Sequence, residues 1–168
     1  LQRRGTRADH GGGGSIQANE QDVAMLQINL AAAGGNVTVS AIDIKAGGSG
    51  DDRNASAGGD LANSGVRLYV DANDNGTYES GTDLPQLGSS GNYNANNGTI
   101  SFSSLSRTIN SGTNENWLVV QDWRDPGTAS DGETFQAILQ DPSTDITAGT
   151  VTPSGSTVTG GLRTITTV

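Results

Sequence analysis

The chain has no cysteine, so no disulfide contributes to its stability. It has one histidine, His10, and one lysine, Lys45. A Ser-His-Asp triad would have to be built on His10, which lies in a polar N-terminal stretch beside Asp9. Basic residues are scarce: 9 Lys and Arg against 18 Asp and Glu leave a net charge of −9. Phosphate binding needs clustered Lys or Arg, and the one cluster, Arg3, Arg4 and Arg7, is confined to the tail. Nucleic acid is therefore not an expected partner. Long apolar runs are missing too, so no membrane-spanning helix is expected. Aromatic residues make up 4% of the chain, too few to line a sugar cleft. Asp122, Asp125, Asp131 and Glu133 accordingly read as surface charge and not as a glycosidase pair. No nucleophile–base pair is visible, so no catalytic residue is assigned and the chain is expected not to be an enzyme.

What is abundant is glycine, with 25 residues, together with Ser, Thr, Asn and Asp. These favour strands and turns over helices. Residues 1–21 differ from the rest: a polar, basic start, the run Gly11 to Gly14, and a polar lead-in. They read as an N-terminal arm or linker, with an intersubunit role as one expectation. The first residue is Leu1, which is consistent with removal of a secretion signal and hence with a secreted or cell-surface location.

From Asp22 onwards the apolar period becomes two. Ala24, Leu26, Ile28 and Leu30 share one face, and 37–44 reads as a second strand. A Gly/Asp/Asn/Ser loop is expected over 47–65, then Val66, Leu68 and Val70 alternate in a third strand. Ile100 and Phe102 mark another. Trp117 to Val120 is a continuous apolar run, as in a strand covered on both faces. Phe135, Ala137 and Leu139 alternate again, and 146–151 and 162–168 close the chain. Roughly eight strands with frequent turn signals predict an all-β fold, an antiparallel β-sandwich over 22–168. Its predicted core contains Leu26, Ile28, Val66, Leu68, Phe102, Val119, Phe135 and Leu139. Trp117 is assigned to the core; Trp123, next to Arg124-Asp125-Pro126, is read either as exposed at a strand end, where it would meet a protein or carbohydrate, or as core or rim packing, the commoner case.

The sharpest motif is Asp71-Ala-Asn73-Asp74-Asn75-Gly76-Thr77-Tyr-Glu79-Ser-Gly-Thr-Asp83. Oxygen-bearing side chains at positions 1, 3 and 5 with Gly at 6 match the first half of a calcium loop. Alternate side chains of a tight loop converge on one point, and Gly permits the sharp turn. Thr77 would add its carbonyl, and Glu79 or Asp83 a carboxylate. Position 12 is Thr82 where an EF-hand has Glu, and no helical pattern flanks the loop, so it is not an EF-hand. An ion-free Asx hairpin turn is the competing reading, because Asn-Gly is a turn signal by itself. Asp51, Asp52 and Asp60 form a second acidic group, read as a solvated loop with a metal as the minor alternative. Sequons begin at Asn36, Asn54, Asn75 and Asn97, mostly as expected by chance in so Asn- and Thr-rich a chain.

Four segments resemble one another's counterparts in a known set of domains: 36–42 (N-V-T-V-S-A-I), 65–76 (G-V-R-L-Y-V-D-A-N-D-N-G), 117–122 (W-L-V-V-Q-D) and 132–135 (G-E-T-F). They are similar to immunoglobulin-like modules of secreted surface proteins of bacteria and archaea. The resemblance covers about residues 22–168. It implies an immunoglobulin-like topology, a structural or adhesive role outside the cell, and calcium ligands at Asp71, Asn73 and Asn75. The expectation is a structural subunit of an extracellular filament, pilus-like fibre or surface assembly, a polymer of identical chains. The alternative is a calcium-stabilised module of a larger adhesin or secreted carbohydrate-active protein.

Overall fold

The computed structural model describes residues 13–167. Strands β1 (Gly14–Ile16), β2 (Val23–Ala31), β3 (Val37–Val39) and β4 (Ala41–Gly48) come first. A 3-10 turn at Ala55–Ala57 precedes β5 (Leu61–Asp71). Then follow β6 (Thr99–Phe102), β7 (Arg107–Ile109), β8 (Asn114–Trp123) and β9 (Thr134–Leu139). One helical turn, α1 (Pro142–Asp145), leads to the short β10 (Ile146–Thr147), β11 (Val158–Thr159) and β12 (Arg163–Ile165). The protein is mostly β. Among the described strand pairs only β1–β12 is parallel. A seven-stranded sheet runs β1-β12-β9-β4-β10, with β11 on β9 and β6 on β4. A second sheet is β2-β8-β5, and β3 pairs with β7 in a third.

All three sheets feed one core. The eight residues predicted for it are buried, as is Trp117. β8 is the middle strand of its sheet and is covered on both faces, as its apolar run implied. Trp117, Val119 and Trp123 point into the main core. Leu118 and Val120 point the other way, into a smaller cluster with Ala24 and Tyr69 that Tyr78 covers.

Several expectations are corrected. The exposed reading of Trp123 falls: it is fully buried, edge-on to Phe135 at 5.2 Å between ring centroids. Two neighbouring charges and a proline suggested a strand end, but β5 extends back to Leu61 and covers Trp123 from the side. Residues 37–44 are two strands in different sheets. Ser40 breaks them because its N–H donates to the Thr147 carbonyl and its own carbonyl accepts from Leu105 N–H. The loop expected over 47–65 is shorter, since β4 runs to Gly48 and β5 begins at Leu61. The polar stretch 62–65 hides that start by making an irregularity in the β5–β8 register. β7, β11 and α1 are too short to leave a period in the sequence.

Of the expected arm, residues 1–12 lie outside the described residues, with Arg3, Arg4, Arg7 and His10. Residues 14–16 form β1 on the edge of the large sheet, in register with Arg163, Thr164 and Ile165. Ile16 is buried in the core.

Gly50 is required by packing. A Cβ there would sit 2.1 Å from the Phe135 ring, which Trp123 prevents from moving away. Gly50→Ala is expected to destabilise the fold by about 1–3 kcal/mol through overpacking. Urea denaturation checks this; an unchanged midpoint would show that the Trp123–Phe135 pair yields.

Candidate metal centre

The loop that leaves β5 folds back over the outer face of the three-stranded sheet. Tyr78 packs on Tyr69 with 4.5 Å between ring centroids. The Arg67 guanidinium lies 5.8 Å from the Tyr69 ring centroid and 5.7 Å from that of Tyr78. Arg67 is tied down by Asp22, at 2.8 Å, and by Asp122. Burial works against the Arg67 charge, but the Asp22 hydrogen bond and the Asp122 charge outweigh it, and its pKa rises further above neutrality. Burial, together with the Tyr69 hydrogen bond, pushes the Tyr78 hydroxyl up to about 12. The Tyr78 hydroxyl is therefore neutral, and Arg67 is charged, at any physiological pH.

Within the loop the predicted oxygen-bearing residues converge. The Glu79 carboxylate accepts from the Asn73 side-chain amide at 2.9 Å and from that of Asn75 at 2.8 Å. Asp71, at the base of the loop, is buried. Its oxygens accept from Asn75 N–H at 3.3 Å and Gly76 N–H at 2.9 Å. That turn needs the positive φ of Gly76, 74°. Thr77 N–H donates to Asn75 Oδ1 at 2.8 Å. Asp83 is fully buried beneath the loop. Its two oxygens accept from Ala72 N–H at 3.0 Å and Glu79 N–H at 2.7 Å, so it braces both arms.

This donor chemistry fits a hard cation such as calcium. Asp71, Asn73, Asn75 and Glu79 offer oxygens of the type calcium takes, and rotating the two amides by 180° exchanges their N–H groups for oxygens. Among the described residues no three His, Cys, Asp or Glu side chains form a metal-holding group. The loop instead mixes amide with carboxylate. The motif did not reveal how the loop is held to the sheet. The Asp74 carboxylate accepts from Asn116 at 2.6 Å and from Gln27 at 3.3 Å, and Gln27 also donates to Asp71. Gln27 lies between Leu26 and Ile28 on β2, and Asn116 precedes the apolar run of β8.

The three carboxylates of the second acidic group are neighbours, but each takes different partners. Asp51 is paired with Arg53, whose hydrogen bond holds the carboxyl below its usual range. Asp60 accepts from Thr128 at 2.7 Å and from Asp51 N–H at 3.1 Å. Asp52 turns inwards and is 1% exposed, with Asn97 N–H donating to it at 3.2 Å. This correction to the solvated-loop reading follows from the alternation of an extended segment, which sends neighbours 51 and 52 to opposite sides. Lys45, on β4, is half-buried and not exposed.

No family model, no curated protein and no solved structure matches the chain. Among the described residues no helix is long and apolar enough to cross a membrane.

Asp52 makes stability depend on pH. Burial, with the nearby Asp51 and Asp60 charges, pushes its pKa from 3.8 up to about 7, against the Asn97 hydrogen bond. Between these values the folded chain keeps a proton that the unfolded chain has released. The Asp52 contribution to stability therefore falls as pH rises from about 4 to 7, by at most about 4 kcal/mol. Asp52→Asn should flatten that slope. Urea midpoints of both proteins across this range test it, and parallel curves would refute it.

Proposed function

We propose that the chain is an immunoglobulin-like β-sandwich that serves as a structural subunit of an extracellular filament, pilus-like fibre or surface assembly. On this reading identical subunits join through a terminal strand. The observation that supports it is β1. It is a three-residue strand at a sheet edge, anchored by the one buried side chain of Ile16. Its bonds are local: Gly14 N–H to the Leu162 carbonyl at 3.1 Å, and Thr166 N–H to the Ile16 carbonyl at 2.8 Å. A short terminal strand of this kind can be supplied by a neighbour as readily as by its own chain. The acidic, lysine-poor composition suits a soluble exported subunit. The test is light scattering and electron microscopy of the full chain and of a chain lacking residues 1–16. Assembly that rises with concentration and is lost on truncation is expected. A full chain that stays monomeric at high concentration refutes the reading.

The loop favours a second reading: a calcium-stabilised module of a larger adhesin or secreted carbohydrate-active protein. Asp71, Asn73, Asn75 and Glu79 would hold the ion, with the Thr77 carbonyl completing the set and Asp83 bracing it. Calcium at a hundred times its Kd should add about 2.7 kcal/mol of stability. Tm should rise with calcium and fall with chelator, and Glu79→Gln should suppress both responses. A melting curve indifferent to calcium removes the ion but leaves strand exchange standing.

A further inference from the structure

The row of residues across the three-stranded sheet at the Asp52 end carries polar atoms that its packing does not use. Gln121 on β8 lies opposite Val66 on β5, and Val66 in turn pairs with Gly91. Two residues farther along β8 is Trp123, opposite Leu61; two residues beyond Gly91 is Tyr93. Asp52 reaches the same place from the third side. Leu61 N–H donates to the Arg53 carbonyl, and Asp60 N–H to the Asp51 carbonyl. Asp52 lies close enough to Tyr93 for its charge to act on the phenol. Trp123 thus lies opposite Leu61, Leu61 is bonded to the residue after Asp52, Tyr93 is within reach of the Asp52 charge, and Gln121 is two residues back on β8.

All four side chains are more than nine-tenths buried. Asp52 Oδ1, Tyr93 Oη, Trp123 Nε1 and both amide atoms of Gln121 have no hydrogen-bond partner. A buried polar atom without a partner costs about 1–3 kcal/mol, so five around one end of a core demand an occupant. The set mixes donors (indole, phenol, amide N–H) with acceptors (carboxylate and amide oxygens). A cation would meet the indole and amide hydrogens, and an anion would meet Asp52. Water both donates and accepts, and one buried water typically makes about three hydrogen bonds.

We propose that this end of the core is a hydration site, holding ordered water that bridges Gln121 and Trp123 to Tyr93 and Asp52. The water joins the sheet to the turn at 92–98, which Asp52 pins through Asn97 N–H. It also gives Asp52 Oδ1 a donor when the carboxylate is ionised.

The chain has two tryptophans, and Trp117 Nε1 donates to Glu115 at 3.0 Å, so the Trp123 indole proton is a specific reporter. Water-selective NMR on the full chain should show a cross-peak from water to that proton, with the opposite NOE and ROE signs of long-lived bound water. No cross-peak overturns the proposal. A peak that persists in Tyr93→Phe, which has no hydroxyl to relay exchange, supports the proposal. On the unaltered protein, Tm should not change when sodium is replaced by choline at constant ionic strength. A shift would assign the site to a cation and not to water.

Discussion

From Trp117 to Val120 neither face of β8 is open to bulk solvent. Its inward side chains, Trp117, Val119 and Trp123, belong to the main core, and its outward ones, Leu118 and Val120, are fully buried as well. A three-stranded sheet with that outer face bare would expose an apolar strip along its middle. The segment after β5 must therefore return across the sheet, and Tyr78 on Tyr69 is the contact that closes it. Asp83 fixes the fold-back by bridging Ala72 and Glu79 N–H groups. Asp71 tightens it by accepting from Asn75 and Gly76. The gathering of oxygen groups at the tip is a consequence of this cover: the carboxylates are placed by backbone bonds that β8 makes necessary.

Strands with a clean period were legible in the sequence because alternation reports one buried face directly. β2 and β9 are of that kind, the middle of β8 was legible instead as a continuous apolar run, and all eight predicted core residues fell on these strands or on β5 and β6. What was illegible lay where backbone geometry overrides pattern. Ser40 sits in an unbroken β-like run, yet its N–H and carbonyl serve Thr147 and Leu105, so the strand splits between sheets. The start of β5 was masked by Asn63, Ser64 and Gly65. A Cβ on Gly65 would lie 2.8 Å from the Ala62 carbonyl and 2.9 Å from that of Asp122, a closeness of approach that composition reads as loop. Trp123 was left between two readings for a related reason: its charged neighbours describe the next two residues and not its own side of the strand.

At the loop, spacing picked out Asn73 and Asn75, whose amides both reach Glu79, because the 1-3-5 pattern is local. It could not convey what holds them to the sheet. Gln27 and Asn116 are 44 and 42 residues from the Asp71 and Asp74 they bind. Each is a polar residue on an alternating strand, indistinguishable by pattern from a solvated one. Asp52 was concealed in the same way. Three acidic residues within ten positions suggested one group, but alternation turns Asp52 inwards and leaves Asp51 to Arg53.

β1 is a short strand on the edge of the large sheet, and the magnitudes say why that matters. Burying Ile16 contributes about 1.5–3 kcal/mol. The backbone bonds to Leu162 and Thr166, with those of the β1–β12 ladder between them, add about 1 kcal/mol each. Fixing the backbone of three residues costs about 3–6 kcal/mol, more for Gly14, whose φ of 148° lies where side-chain-bearing residues seldom go. The terms largely offset one another, so β1 opens more readily than the sheets behind it. What keeps it paired is its tether to β2, which sets a high effective concentration of the segment beside β12. Nothing in the Ile16 socket or in these hydrogen bonds distinguishes this chain's own segment from that of another copy. The length and stiffness of the tether, not the contact itself, therefore decide whose strand occupies the edge.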